Sequence, residues 1–168
     1  KLSAQQIFAA TDEDVFELLD GLKAAYSDWI NREQQYSKGL PMEFKEQAVE
    51  NLRKCEVANK RIGDGISFLR WHKHALRAFK LANLVMRIQQ SWKNGEKDWE
   101  KPNGTDLVWR PFQLAFVLLC LQSSSLRKHE DRKIFDLLWF PTGGGKTEAY
   151  LLLSSFVMIL RRLDYSLE

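Results

Sequence analysis

Three consecutive glycines followed by Lys-Thr, Gly143 to Thr147, lie between two apolar runs, and nothing else in the 168-residue chain restricts the fold as tightly. The run before them, Ile134 to Phe140 (IFDLLWF), has flanking breakers and no helical periodicity, as expected of a buried parallel strand. The run after them predicts a helix from about Lys146 to Leu163, greasy almost all round, with Arg161 and Arg162 where cations suit a helix C-terminus. Strand, glycine turn and helix in that order are the context a phosphate-binding loop requires. Glycines take positive φ without strain and let backbone N–H groups curl around a polyphosphate. The new helix adds the partial positive charge of its N-terminus, about half a unit.

On this reading Lys146 reaches the β- and γ-phosphates of a bound polyphosphate as a point charge, and Thr147 ligates Mg²⁺ through its hydroxyl. Those two form the catalytic pair. Thr142, Gly143, Gly144 and Gly145 line the cradle. A glycine turn that only joined a strand to a helix would have no need of Lys-Thr at the helix start.

The upstream sequence reads as helical. Thr11 precedes Asp12, Glu13 and Asp14, an N-cap with acids in the first turn. Apolar residues from Val15 to Ile30 then recur at helical spacing over about 25 residues. Pro41 suits the start of a second helix that ends near "RIGDG", and "ISFLRW" to "QQSWK", Ile66 to Lys93, reads as one long third helix. Phe68, Ala75, Phe79, Ala82 and Met86 gather on one side of it, and Arg70, Lys73, Arg77 and Lys80 on another. Such a stripe is an electrostatic footprint for nucleic acid or an acidic partner, or simply a solvated face. His72 and His74 are two residues apart and point in different directions on a continuous helix, a poor metal pair. "KNGEKDWEKPNGTD" is a turn-rich connector. It divides the chain into a helical region, 1–105, and a second region, 106–168, in which Pro111 opens a short helix.

Bulk properties exclude several classes. Hydrophobic residues at 45% and charged residues at 28% indicate a globular chain, and a net charge of +3 names no partner. Cys55 and Cys120 are far apart and read as buried reduced thiols. No apolar run approaches the roughly 20 residues that span a bilayer, which places the protein in the cytoplasm with no membrane partner. The first residue is Lys, which points to a longer parent chain.

Two motifs carry a family resemblance. Phe140 fills the first glycine slot of the strict GxxxxGK[ST] pattern, but "FPTGGGKT" fits the looser xxTGxGKT of superfamily 2 helicases and translocases. "WRPFQ", residues 109–113, resembles the RPxQ motif of the same superfamily. A glutamine amide offers a donor beside an acceptor, matching adenine N6–H₂ and N7, whereas guanine presents two acceptors there. The resemblance therefore implies that Gln113 reads the base and Arg110 supports base or phosphate, with Trp99 or Trp109 available to stack on the ring. Without it, Gln113 is a capping residue on a packed helix. "DLLWFPTGGGKTEAYL" and "WRPFQLAFVLL" together look like the DrmA-type helicase of the DISARM phage-defence system, over residues 107–163.

The resemblance implies a mainly α N-terminal region followed by the start of a RecA-like α/β domain with an incomplete parallel sheet. It also implies an N-terminal part of an ATP-dependent helicase or translocase, with DNA as substrate and a DrmB-like subunit as partner. An Asp-Glu motif and an arginine finger, which such motors need, are absent from these residues. A nucleotide-dependent clamp in a split P-loop protein is the alternative from a different class.

Overall fold

The computed structural model describes residues 2–95, 106–139, 141 and 143–164. Six α-helices account for most of them: α1 (Ala4–Ala9), α2 (Asp12–Ser37), α3 (Met42–Trp71), α4 (Lys73–Lys93), α5 (Pro111–Ser125) and α6 (Lys146–Leu163). A 3₁₀ turn, Glu130–Lys133, lies between α5 and the glycine loop.

Each helix start has a local cause. Thr11 accepts the Asp14 N–H at 3.1 Å and donates its hydroxyl to the Asp14 carboxylate at 2.8 Å, so α2 begins where the sequence places it. The short α1, for which the sequence analysis has no helix, is held from a distance. Ser3 caps it by accepting the Gln6 N–H at 3.0 Å, while Asp106 takes the Ser3 hydroxyl and the Gln5 N–H. Ala4 N–H also donates to Leu107 C=O and Trp109 N–H to Leu2 C=O, joining the start of the chain to the segment that enters α5.

Two helix boundaries differ from expectation. α3 does not end at "RIGDG" but continues through both glycines to Trp71. Gly65 permits this by its lack of a side chain: a Cβ there would lie 2.0 Å from the Leu118 carbonyl oxygen of α5. The glycine is a contact surface inside a helix, not a stop. The expected single helix from Ile66 to Lys93 is instead broken at His72, which is extended (φ −119°, ψ 92°). Its ring Nδ1 accepts the Ala75 N–H at 3.2 Å and so serves as the N-cap of α4.

The third correction concerns Ile134 to Phe140. Residues 134–139 form no strand, and Phe140 lies outside the described residues. A strand is stabilised by a ladder to a neighbour, and among the described residues none is available. What remains is an irregular run with a tight turn where the Trp139 N–H donates to Leu137 C=O at 3.2 Å; Phe135, Leu137 and Trp139 are 92%, 72% and 88% exposed, whereas Asp136 and Leu138 are half-buried.

One buried cluster joins every α-helix. Phe79 of α4, Phe156 and Leu152 of α6, Leu114 and Leu118 of α5, Ile66 and Leu69 of α3, Leu19 of α2 and Ile7 of α1 all belong to it. The expected apolar face of Phe68, Ala75, Phe79, Ala82 and Met86 is buried throughout. Truncating a fully enclosed ring such as Phe79 would cost about 3–5 kcal/mol. No described helix is long and apolar enough to cross a membrane.

Candidate nucleotide-binding loop

The glycine loop sits at the junction of α5 and α6. Gly143 and Gly145 both adopt positive φ, +78° and +92°, a region that L side chains enter at a cost. Gly145 is the left-handed N-cap of α6, so Lys146 and Thr147 open that helix as the sequence predicts. The first amides of any α-helix lack an intrahelical acceptor, and here they follow the bend directly. The loop closes on itself where the Gly144 N–H donates to Pro141 C=O at 3.1 Å. Lys146 Nζ reaches the same carbonyl at 3.0 Å, keeping the ammonium over the loop rather than in open solvent. Thr147 is exposed, with its hydroxyl at the helix start, while Gly144 is buried. Thr142 lies outside the described residues.

Residues some 30 positions upstream grip this bend. Gln113 Nε2 donates to Gly145 C=O at 2.7 Å, and Arg110 Nη1 donates to Gly144 C=O at 3.0 Å. Gln113 Oε1 accepts the Arg110 N–H at 2.8 Å, which ties the two side chains to one backbone frame. Pro111 at the first helical position fixes the entry to α5 and needs no N–H partner there. The fit is close: a Cβ on Gly145 would fall 2.5 Å from Gln113 Nε2. Gln113 is only 4% exposed, and both ends of its amide are used inside the protein. One N–H and one lone pair of that amide remain beyond these bonds.

Of the two tryptophans expected as candidates for base stacking, Trp109 is taken up by the core. Trp109 is 2% exposed and its indole N–H donates to Asn83 Oδ1 at 2.8 Å, with Asn83 itself bonded to Phe79 C=O. The ring is a core element. Trp99 lies outside the described residues. Of the basic stripe, Arg70 pairs with Asp20 at 2.8 Å and stacks 4.6 Å above the Phe16 ring. Lys80 donates to Ala10 C=O and pairs with Asp12, while Lys73 and Arg77 are exposed. Half of the stripe thus stabilises the packing of α2 and the end of α1. The break at His72 also turns both histidines the same way, so that His72 Nε2 and His74 Nδ1 lie 2.9 Å and 3.4 Å from one Asp164 oxygen.

Sequence reasoning missed an ionic cluster on the approach to the loop. Arg61 of α3, its side chain 10% exposed, donates from Nε to Asp131 at 2.7 Å and through both Nη atoms to Asp136 at 2.6 Å and 2.8 Å. These carboxylates hold the guanidinium pKa above its usual value. Cys120 lies beside Asp136, and burial, with that carboxylate adding to it, pushes its thiol up to about 12. Cys55 is half-buried, and both thiols are free. A visible signal was Asp136 itself, a lone acid inside an apolar run.

The sequence is 39% identical over 176 residues to the DISARM protein DrmA of Bacillus paralicheniformis, which makes the chain a relative of that protein. The similarity covers 96% of this chain but only 15% of DrmA, so the chain spans a small part of the relative's length. No family model matches the sequence.

Proposed function

We propose that these residues form the adenine- and phosphate-binding front of an ATP·Mg²⁺ site in a DrmA-like superfamily 2 motor that acts in DISARM anti-phage defence. The observation that carries the reading is the pair of hydrogen bonds from Gln113 and Arg110 to the carbonyls of Gly145 and Gly144. Two motifs matched independently in the sequence meet at hydrogen-bond distance. A turn of purely structural origin gives no reason for that meeting to involve the residues of an adenine motif. The relationship to DrmA supports the DISARM assignment.

The residues fit the group. Positive φ at Gly143 and Gly145 curves the backbone, and open space lies where a Gly143 Cβ would stand. The N-terminus of α6 brings backbone amides that lack an intrahelical acceptor, and a positive dipole end, to the bend. If bound, ATP·Mg²⁺ would supply the transferable phosphoryl group and a divalent cation to offset its charge. Lys146 would leave the Pro141 carbonyl for the phosphates, an exchange of a neutral acceptor for a charged one and hence favourable. Thr147 would offer its hydroxyl to the cation. Gln113 keeps the bend in register with α5, and its amide has one donor and one acceptor beyond the two bonds it makes there, which would be what reads an adenine.

In this reading the run that begins at Ile134, which forms no strand here, would become the first strand of a RecA-like sheet only beside strands supplied by a longer protein. The exposed alternation of Phe135, Leu137 and Trp139 supports it, because such a face is suited to burial by further chain. The whole protein would step along DNA, partnered by a DrmB-like subunit. The test is ATP turnover by the full-length protein with and without DNA, alongside Lys146→Ala. Loss of one charged contact predicts a fall of about 10–150-fold or more in turnover. Turnover unchanged in Lys146→Ala would remove the motor reading, and turnover indifferent to DNA would favour the clamp.

A further inference from the structure

The run that leads to the glycine loop has no strand partner among the described residues, yet side chains of other elements hold it. Its inward residue Asp136 receives a two-pronged hydrogen bond from Arg61, and Asp131 in the preceding 3₁₀ turn receives a third. Arg61 lies four residues before Gly65, so the face of α3 that meets α5 at Leu118 also reaches this run. A planar guanidinium with five donors fixes direction as well as distance, which a lysine cannot do.

A second set of bonds closes a ring around the same point. Gln122 Nε2 donates to the Asp64 C=O of α3 at 3.0 Å, and Gln122 Oε1 accepts from His129 Nε2 at 2.8 Å. His129 Nδ1 in turn accepts the Asp131 N–H at 3.2 Å, capping the 3₁₀ turn whose Asp131 carboxylate returns to Arg61. The neutral His129 tautomer with its proton on Nε2 satisfies both bonds. Arg61, Asp64, Gln122, His129 and Asp131 thus hold the segment before the loop from two directions.

We propose that Arg61 is a positioning residue for nucleotide binding: by gripping Asp131 and Asp136 from α3, it sets where the run 134–139 presents the glycine loop. The inference rests on the nucleotide-site reading above. It would make α3 a part of the site, since Asp136, which Arg61 grips, stands seven positions before Gly143. Asp136 carries the link at the near end, and its place inside an apolar run is explained by this grip. Cys120, 3.8 Å from the Asp136 carboxylate, packs behind the contact.

The test uses the full-length protein and two readouts, amide exchange over 134–145 and affinity for a fluorescent ATP analogue with Mg²⁺. Arg61→Met should speed exchange over 134–139 by roughly tenfold or more, leave the amides of α4 protected, and weaken nucleotide binding by a similar factor. Arg61→Lys, which keeps the charge but not the fork, should fall between. Because an unpaired, half-buried pair of carboxylates can destabilise the fold, the neutral triple variant Arg61→Met, Asp131→Asn, Asp136→Asn is the control. It should melt near the wild-type temperature and still bind nucleotide weakly, a split that a merely structural role would not produce. Wild-type affinity and wild-type protection in the triple variant would overturn the proposal. If the wild type itself binds no nucleotide, the site reading fails, and the exchange readout alone decides whether Arg61 holds the run.

Discussion

Two glycines touch α5, and they do so for different reasons. Gly65 of α3 has ordinary helical geometry, and its missing side chain makes room for the backbone of Leu118. Gly145 of the loop also leaves no room, but its neighbour is the side-chain amide of Gln113 and its φ is +92°. At the first contact glycine serves packing between two rigid helices. At the second it serves a backbone shape, with a side chain holding that shape in place. The difference separates what keeps the protein folded from what gives the loop its candidate chemistry.

The sharpest way to break this comparison is Gly65→Ala. A Cβ 2.0 Å from a carbonyl oxygen forces α3 and α5 apart, and the loss of stability should reach about 3 kcal/mol in denaturant titration, at the upper end for overpacking. Gly63→Ala on the same helix is the control. Its Cβ would meet the tip of Lys23, a flexible side chain, so the gain of about 1 kcal/mol in helix propensity should offset the contact. Equal losses at both positions would contradict the packing account.

Gly145→Ala should be milder for stability, about 1–2 kcal/mol from the left-handed conformation, yet it should remove nucleotide binding. Gln113→Ala comes next. Two net hydrogen bonds of about 1 kcal/mol each are lost, and the loop should bind nucleotide less tightly while α6 remains helical by circular dichroism.

The smallest effect concerns Cys120, two residues beyond the Leu118 contact on α5. Burial pushes its thiol up to about 12 from an ordinary 9.0, so at pH 9 the folded protein keeps it protonated while the unfolded chain ionises it. Its contribution to stability is therefore present below pH 9 and lost as pH rises toward 12. Alkylation at pH 9 should modify half-buried Cys55 well before Cys120, and Cys120→Ala should flatten part of the alkaline loss. Equal labelling of the two would contradict the burial.

The loop was the most legible part of the sequence because its chemistry is local. Gly143 to Thr147 specify their own turn and the start of α6, and Thr11 specifies the start of α2 within four residues. What stayed hidden depends on partners far away in sequence. Gly65 looks like a helix stop until Leu118 is placed against it, and the break at His72 rests on a ring that caps the next helix. The strand at 134–140 was expected from an apolar pattern, but a pattern cannot supply the neighbouring strand that would make it one. Gln113 stood out in the sequence as a candidate, whereas its hold on the loop backbone required α5 and α6 to be packed. Trp109 shows the opposite failure: an aromatic beside a motif suggests stacking, yet Asn83 and the core claim it.

Amide hydrogen exchange of residues 143–150 in the full-length protein, with and without ATP and Mg²⁺, tests the central claim most directly. If Gln113, Arg110 and the loop make one cradle, nucleotide should slow exchange at the start of α6, and both Lys146→Ala and Gln113→Ala should abolish much of that protection. Nucleotide that binds while these amides exchange at their unliganded rate would place the site elsewhere and contradict the account.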